Sequence, residues 1–84
     1  MKKVAPRTWT VTAHQLDGTT RVTTYETPAT RDPSHDTMYS WTAAAMDADT
    51  VSVGVDNMCG RSVMLVRGPR YDEAVKARRE ALGL

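Results

Sequence analysis

From Thr8 to Thr27, apolar residues alternate with threonines on either side of Asp17-Gly18. This is the pattern of two antiparallel strands joined by a tight turn. Asp-Gly suits a two-residue type I′ loop, because both residues accept positive φ. Such a loop predicts Leu16 opposite Thr19, Ala13 opposite Val22 and Trp9 opposite Glu26. One face of the hairpin then carries Trp9, Val11, Ala13 and Val22. The other carries Thr10, Thr12, His14, Arg21, Thr23 and Tyr25. A ribbon apolar on one side and polar on the other belongs to a sheet covered on one face.

Downstream, Pro28 marks a connector, and Asp32-Pro33-Ser34 signals a helix start, with Asp32 or Ser34 as cap. The helix is predicted from Pro33 or His35 to about Asp47, since Asp47 and Asp49 are unfavourable at the negative end of a helix dipole. Thr50 to Asp56 alternates strictly, with Val51, Val53 and Val55 on one side. Arg61 to Arg67 is apolar on both sides, which predicts a central or doubly covered strand. Asn57-Met58-Cys59-Gly60 reads as the loop between them. Gly68-Pro69 ends the fourth strand, and a last helix is predicted from Pro69 to Leu82. Its apolar stripe is Tyr71, Ala74, Val75, Arg78 (through its stem) and Leu82. The order β-β-α-β-β-α predicts an α+β fold. It is a two-layer sandwich of one mostly antiparallel four-stranded sheet, with both helices on one face.

The first helix carries more apolar surface than one sheet contact needs. Met38, Trp41, Ala45 and Ala48 form one stripe, and Tyr39, Ala43 and Met46 form a second beside it. A helix lying on a sheet uses an apolar arc of about 100° or slightly more, and this one offers roughly twice that. Two readings account for it: the second helix covers the surplus, or a protein partner does. Trp, Tyr and Met are suited to such contacts. The partner-binding residues expected on this reading are Met38, Tyr39, Trp41 and Met46, with a second copy of the chain, the commoner case, or a foreign protein as partner.

Length and composition limit the function classes. The 84 residues form one domain, with residues 1–7 as a loose arm. The core is thin: nine Val, four Leu and five Met, no Phe or Ile, and ten Ala that add little burial each. Oligomerisation commonly compensates for such a core. A net charge of +1 argues against a strongly basic nucleic-acid binder. The single cysteine, Cys59, forms no internal disulfide, which fits a reducing cytoplasm. No apolar run reaches the roughly 18 residues of a membrane-spanning helix.

Candidate chemistry is sparse. His14, Arg21 and Tyr25 share the polar face of the predicted hairpin, a set that a small ribonuclease would need. The ordinary alternative is a solvated strand surface. His35 with Asp32 and Asp36 matches no metal-ligand spacing, and Asp47, Asp49 and Asp56 read as turn and cap residues or as partners of Arg61 and Arg67. Arg67, Arg70, Lys76, Arg78 and Arg79 form a local basic excess that suits phosphate backbone. Asp72, Glu73 and Glu80 are interleaved with them, and pairing such as Lys76 with Glu80 is the alternative. No catalytic set, metal site or cofactor is assigned. The favoured reading is a non-enzymatic interaction protein, with nucleic-acid binding through the C-terminal arginines as the alternative and a ribonuclease or toxin third.

In size and in its Thr-, Ala-, Arg- and Asp-rich composition, the chain resembles small accessory proteins of phages that infect GC-rich actinobacteria. The resemblance is one of style and carries no site residues. It implies a protein acting in the host cytoplasm by gripping a host protein.

Overall fold

The computed structural model describes residues 5–83. The element order is β1 (Arg7–Gln15), β2 (Thr20–Thr27), α1 (His35–Ala45), β3 (Thr50–Asp56), β4 (Ser62–Arg67) and α2 (Tyr71–Ala81). All four strands join one antiparallel sheet in the order β2-β1-β3-β4, an α+β fold. The two hairpins therefore meet through β1 and β3, and β4 is an edge strand. The predicted arm extends over residues 1–7, but Arg7 already belongs to β1, and residues 1–4 lie outside the described residues.

The first hairpin departs from the expected register. Trp9 faces Tyr25, Val11 faces Thr23 and Ala13 faces Arg21. The loop has three residues, not two: Gln15 N–H donates to Thr19 O at 2.9 Å, and Gly18 N–H donates to Gln15 O at 3.0 Å. Gly18 alone takes positive φ (+89°), while Asp17 stays on the negative side. This is a type I turn closed by a glycine bulge. The Asp17 carboxylate stabilises it by accepting from the Thr19 amide (2.9 Å) and hydroxyl (2.6 Å). Those bonds, the hydroxyl one foremost, hold Asp17 below the usual carboxylate range. The second hairpin repeats the device at Asn57–Arg61, where Asn57 Oδ1 accepts from the amides of Cys59 and Arg61.

A one-residue slip moves every side chain of a strand to the opposite face. Val22, expected in the core, is 61% exposed, and Arg21, Thr23 and Tyr25 point to the helix side instead. The core joins Trp9, Val11 and Ala13 of β1 with Val53 and Val55 of β3, Met64 of β4 and Met38 of α1. Each large member contributes about 1.5–3 kcal/mol by leaving water.

The helix α1 is capped by Ser34, whose hydroxyl accepts from the Thr37 amide at 3.1 Å. It lies over β1 and β3 and buries Met38 and Thr42. The helix α2 packs chiefly against β3 with none of its residues fully buried; of the expected stripe, Tyr71, Ala74 and Val75 are half-buried and Leu82 is exposed. The turn leading into α2 is tightly seated: Gly68 N–H donates to Val51 O at 2.7 Å, and Arg70 N–H donates to Thr50 O at 3.0 Å.

Candidate functional site

The surplus of α1 is largely consumed within the chain. Met38, expected at a partner contact, is buried in the core, so it is corrected to a packing residue. Trp41 is half-buried and stacks on Tyr25, with centroids 4.5 Å apart and planes 11° from parallel. Met46 is partly buried against the same core. Tyr39 alone of the four stays open to solvent, 54% exposed, with the His35 ring tilted beside it. The register explains the change. The three-residue loop brings Tyr25 to the helix side, where its ring meets Trp41, and stacked aromatic pairs add about 0.5–1.5 kcal/mol beyond the area they bury.

The same register separates the three residues expected to act together on RNA. His14 pairs with Thr20 and Ser52 on the side away from α1, while Arg21 and Tyr25 face the helix. Arg21 donates to Ala45 O at 3.2 Å and to Asp47 Oδ2 at 2.5 Å. It thereby places a cation at the C-terminus of α1, whose last turn has no basic residue of its own.

Around that helix end lies a polar knot that ties four elements. The buried Thr50 hydroxyl accepts from the Asp47 amide at 2.9 Å and lies within reach of Gln15 Oε1 (3.2 Å) and Asp47 Oδ1 (3.1 Å). Arg70 donates to Ala48 O at 3.2 Å and pairs with Glu73 at 2.6 Å and with Asp49 at 3.7 Å. Asp47 and Asp49 are thus partners of Arg21 and Arg70, and Asp56 accepts from the Ser62 hydroxyl, in place of the expected Arg61 and Arg67.

The Asp47 carboxyl is held below its ordinary value, first by the Asp49 amide, then by Thr50 and Arg21. A carboxyl depressed in the folded state adds stability above its unfolded pKa and loses it as pH falls through the folded value. Asp47→Asn is therefore expected to flatten the loss of thermal stability as pH falls below about 4, as read by melting at stepped pH. An unchanged acid limb assigns that loss to Asp17 and other carboxylates.

The basic residues near the C-terminus divide. Arg67 lies 4.5 Å over the ring of Tyr71, and Arg70 is spent in the knot. Lys76, Arg78 and Arg79 remain exposed on α2, and Lys76 and Glu80 form no ion pair among the described residues. Arg7 pairs with Asp32, which sets Asp32 apart from His35. Among the described residues no group of three or more His, Cys, Asp or Glu is placed to hold a metal ion, and no helix is long and apolar enough to cross a membrane.

The surface that sequence reasoning missed is the side of the sheet away from α1, together with the β4 edge. One row crosses all four strands there: Val22, Thr12, Gly54 and Leu65. Its two ends, Val22 and Leu65, are 61% and 67% exposed. The sheet edges differ. β2 offers Thr20, Arg21, Thr23, Thr24 and Glu26, whereas β4 offers Val63, Met64, Leu65 and Val66 in succession. Charged side chains, prolines and bulges are the usual guards of an edge strand; β4 has neither of the first two between Ser62 and Val66, and its register against β3 shifts at Val63. Its two-sided apolar pattern was the available signal, and it pointed to a central strand. The structure corrects this to an edge, because β3 pairs with β1 on its other side. Compared with protein-family models, curated proteins and solved structures, the chain matches none of them.

Proposed function

We propose that this is a small non-enzymatic interaction protein whose contact surface is the β4 edge of the sheet. The observation that carries the reading is the position of β4. A strand with apolar residues on both faces stands at a sheet margin, with Leu65 exposed and backbone groups open to a further strand. Extended segments commonly recognise such margins by adding a strand. The dispersal of His14, Arg21 and Tyr25 supports binding over catalysis. The composition resembling phage accessory proteins supports a setting in an infected bacterial cytoplasm, where a host protein or a second copy is the partner. Tyr39 marks a smaller contact on the opposite side.

Photo-crosslinking in the cells that make the protein tests the reading. A benzoylphenylalanine in place of Leu65 is expected to give one dominant protein adduct, and the same group in place of Val22 none. No adduct at position 65, or equal adducts at both positions, overturns it. Tyr39→Ala is expected to change the melting temperature by less than about 4 °C, since an exposed side chain typically contributes within about 0.5 kcal/mol.

A further inference from the structure

We infer that β2 has two registers on β1, one residue apart, and that the stack of Tyr25 on Trp41 is the catch between them. The switch lies in the first hairpin and is independent of the β4 edge.

A strand's register is well fixed where one face is buried, and poorly fixed where both faces are polar and exposed. β2 is of the second kind. It reads Thr20-Arg21-Val22-Thr23-Thr24-Tyr25-Glu26-Thr27, and only Tyr25 and Thr27 are half-buried. It also stands at the sheet margin. A slip therefore alters its ladder with β1 and leaves the β1–β3 and β3–β4 pairings in place. The turn serves both registers. Leu16, Asp17 and Gly18 form the observed three-residue loop, while Asp17-Gly18 by itself is a favoured two-residue type I′ loop.

In the slipped register Ala13 faces Val22 instead of Arg21, and Trp9 faces Glu26 instead of Tyr25. Every β2 side chain changes sides. Val22, now 61% exposed, enters the helix side. Glu26 arrives beside Trp9, where its carboxylate replaces the Thr27 hydroxyl as acceptor for the indole N–H. Tyr25 and Arg21 pass to the bare face, the side of His14. The slip gives up the Tyr25–Trp41 stack, the Arg21 contacts with Asp47 and Ala45 O, and the Asp17 bonds to Thr19. The Arg21 and Asp17 contacts join exposed groups, where ion pairs add little. The stack is half-buried and ties β2 to α1, so it carries most of the preference. Whatever occupies Trp41 in place of Tyr25 draws β2 into the second register. By reciprocity, a ligand that holds Tyr25 on the bare face uncovers Trp41.

Disulfide trapping in a redox buffer reads both registers in the full chain, with Cys59→Ser throughout because Cys59 is the sole native cysteine. Thr12 stands opposite Val22 as observed and opposite Thr23 after the slip. Thr12→Cys with Val22→Cys reports the first register, and Thr12→Cys with Thr23→Cys the second. In the first, positions 12 and 23 point to opposite faces, and their thiols do not meet. The second disulfide is expected to form at about 0.1–10% of the effective concentration of the first, the range of a minor state. Tyr25→Thr and Trp41→Ala are each expected to raise it about tenfold, the worth of a stacked aromatic pair. Tyr39→Ala, which removes an exposed side chain of α1, is expected to leave it unchanged. Thr12→Cys with Arg21→Cys fits neither register, yet an unfolded chain closes it as readily, so it is expected to form least. A disulfide between positions 12 and 23 no stronger than that control, or one that neither Tyr25→Thr nor Trp41→Ala raises, overturns the inference.

Discussion

Gly68→Ala is expected to cost about 3 kcal/mol of folding stability. That corresponds to a fall of roughly 12–24 °C in melting temperature for a domain of this size. A Cβ at position 68 would lie 2.2 Å from the Thr50 carbonyl oxygen and 2.7 Å from its carbon. Those are backbone atoms, so no rotamer change relieves the contact. Thr50 is fully buried and anchored by Asp47 and Gln15, and its carbonyl also accepts from the Arg70 amide. Relief requires β3 and the β4–α2 turn to part, which breaks the Gly68–Val51 or the Arg70–Thr50 bond. Gly54→Ala is the control. Its added Cβ would meet nothing closer than 3.8 Å, and alanine is favoured over glycine inside a strand by about 0.5–1 kcal/mol. Thermal melting of the two variants side by side checks the argument. Equal midpoints would show that the turn yields without cost.

Trp9→Ala is expected to destabilise by about 3–5 kcal/mol, enough to unfold a small domain at room temperature. Trp9 is 7% exposed and is the largest side chain of the core. Its indole N–H also donates to the Thr27 hydroxyl at 2.8 Å. Thr27→Val separates the two contributions, since it removes the acceptor and keeps the bulk. Leaving a part-buried donor without a partner costs about 1–3 kcal/mol. Urea titration of the three proteins is expected to rank them wild type, Thr27→Val, Trp9→Ala in decreasing midpoint. A Trp9→Ala midpoint above that of Thr27→Val would mean that the core closes over the missing ring.

Much of the local structure was legible. The β1 alternation, the Ser34 cap, the start of β3 at Thr50 and the Asn57–Gly60 loop all depend on neighbours a few residues away, and each stands where the pattern put it. The candidate site was less legible. Tyr39, Trp41 and Met46 read alike along the helix, yet only Tyr39 stays exposed, because Tyr25 reaches Trp41 from another strand. Asp47 and Asp49 were recognisable as end-of-helix residues, but their arginine partners lie 26 and 21 positions away in sequence. No spacing rule connects residues that meet only after the sheet has formed.

The chain alone determined its six elements, their order and the antiparallel α+β class, because alternation, caps and turn residues act over short range. The tertiary structure decided the first hairpin's register, the strand order and the exposure of β4. β2 carries threonine on both faces, so either register leaves one apolar side chain on the helix side, Val22 or Tyr25. Local energies separate the two poorly. The choice falls to Trp41, which stacks on Tyr25 across the interior, and to Arg21, which reaches the end of α1. The place of β4 is likewise set from a distance: β1 occupies the other side of β3, and an apolar strand is left at the margin.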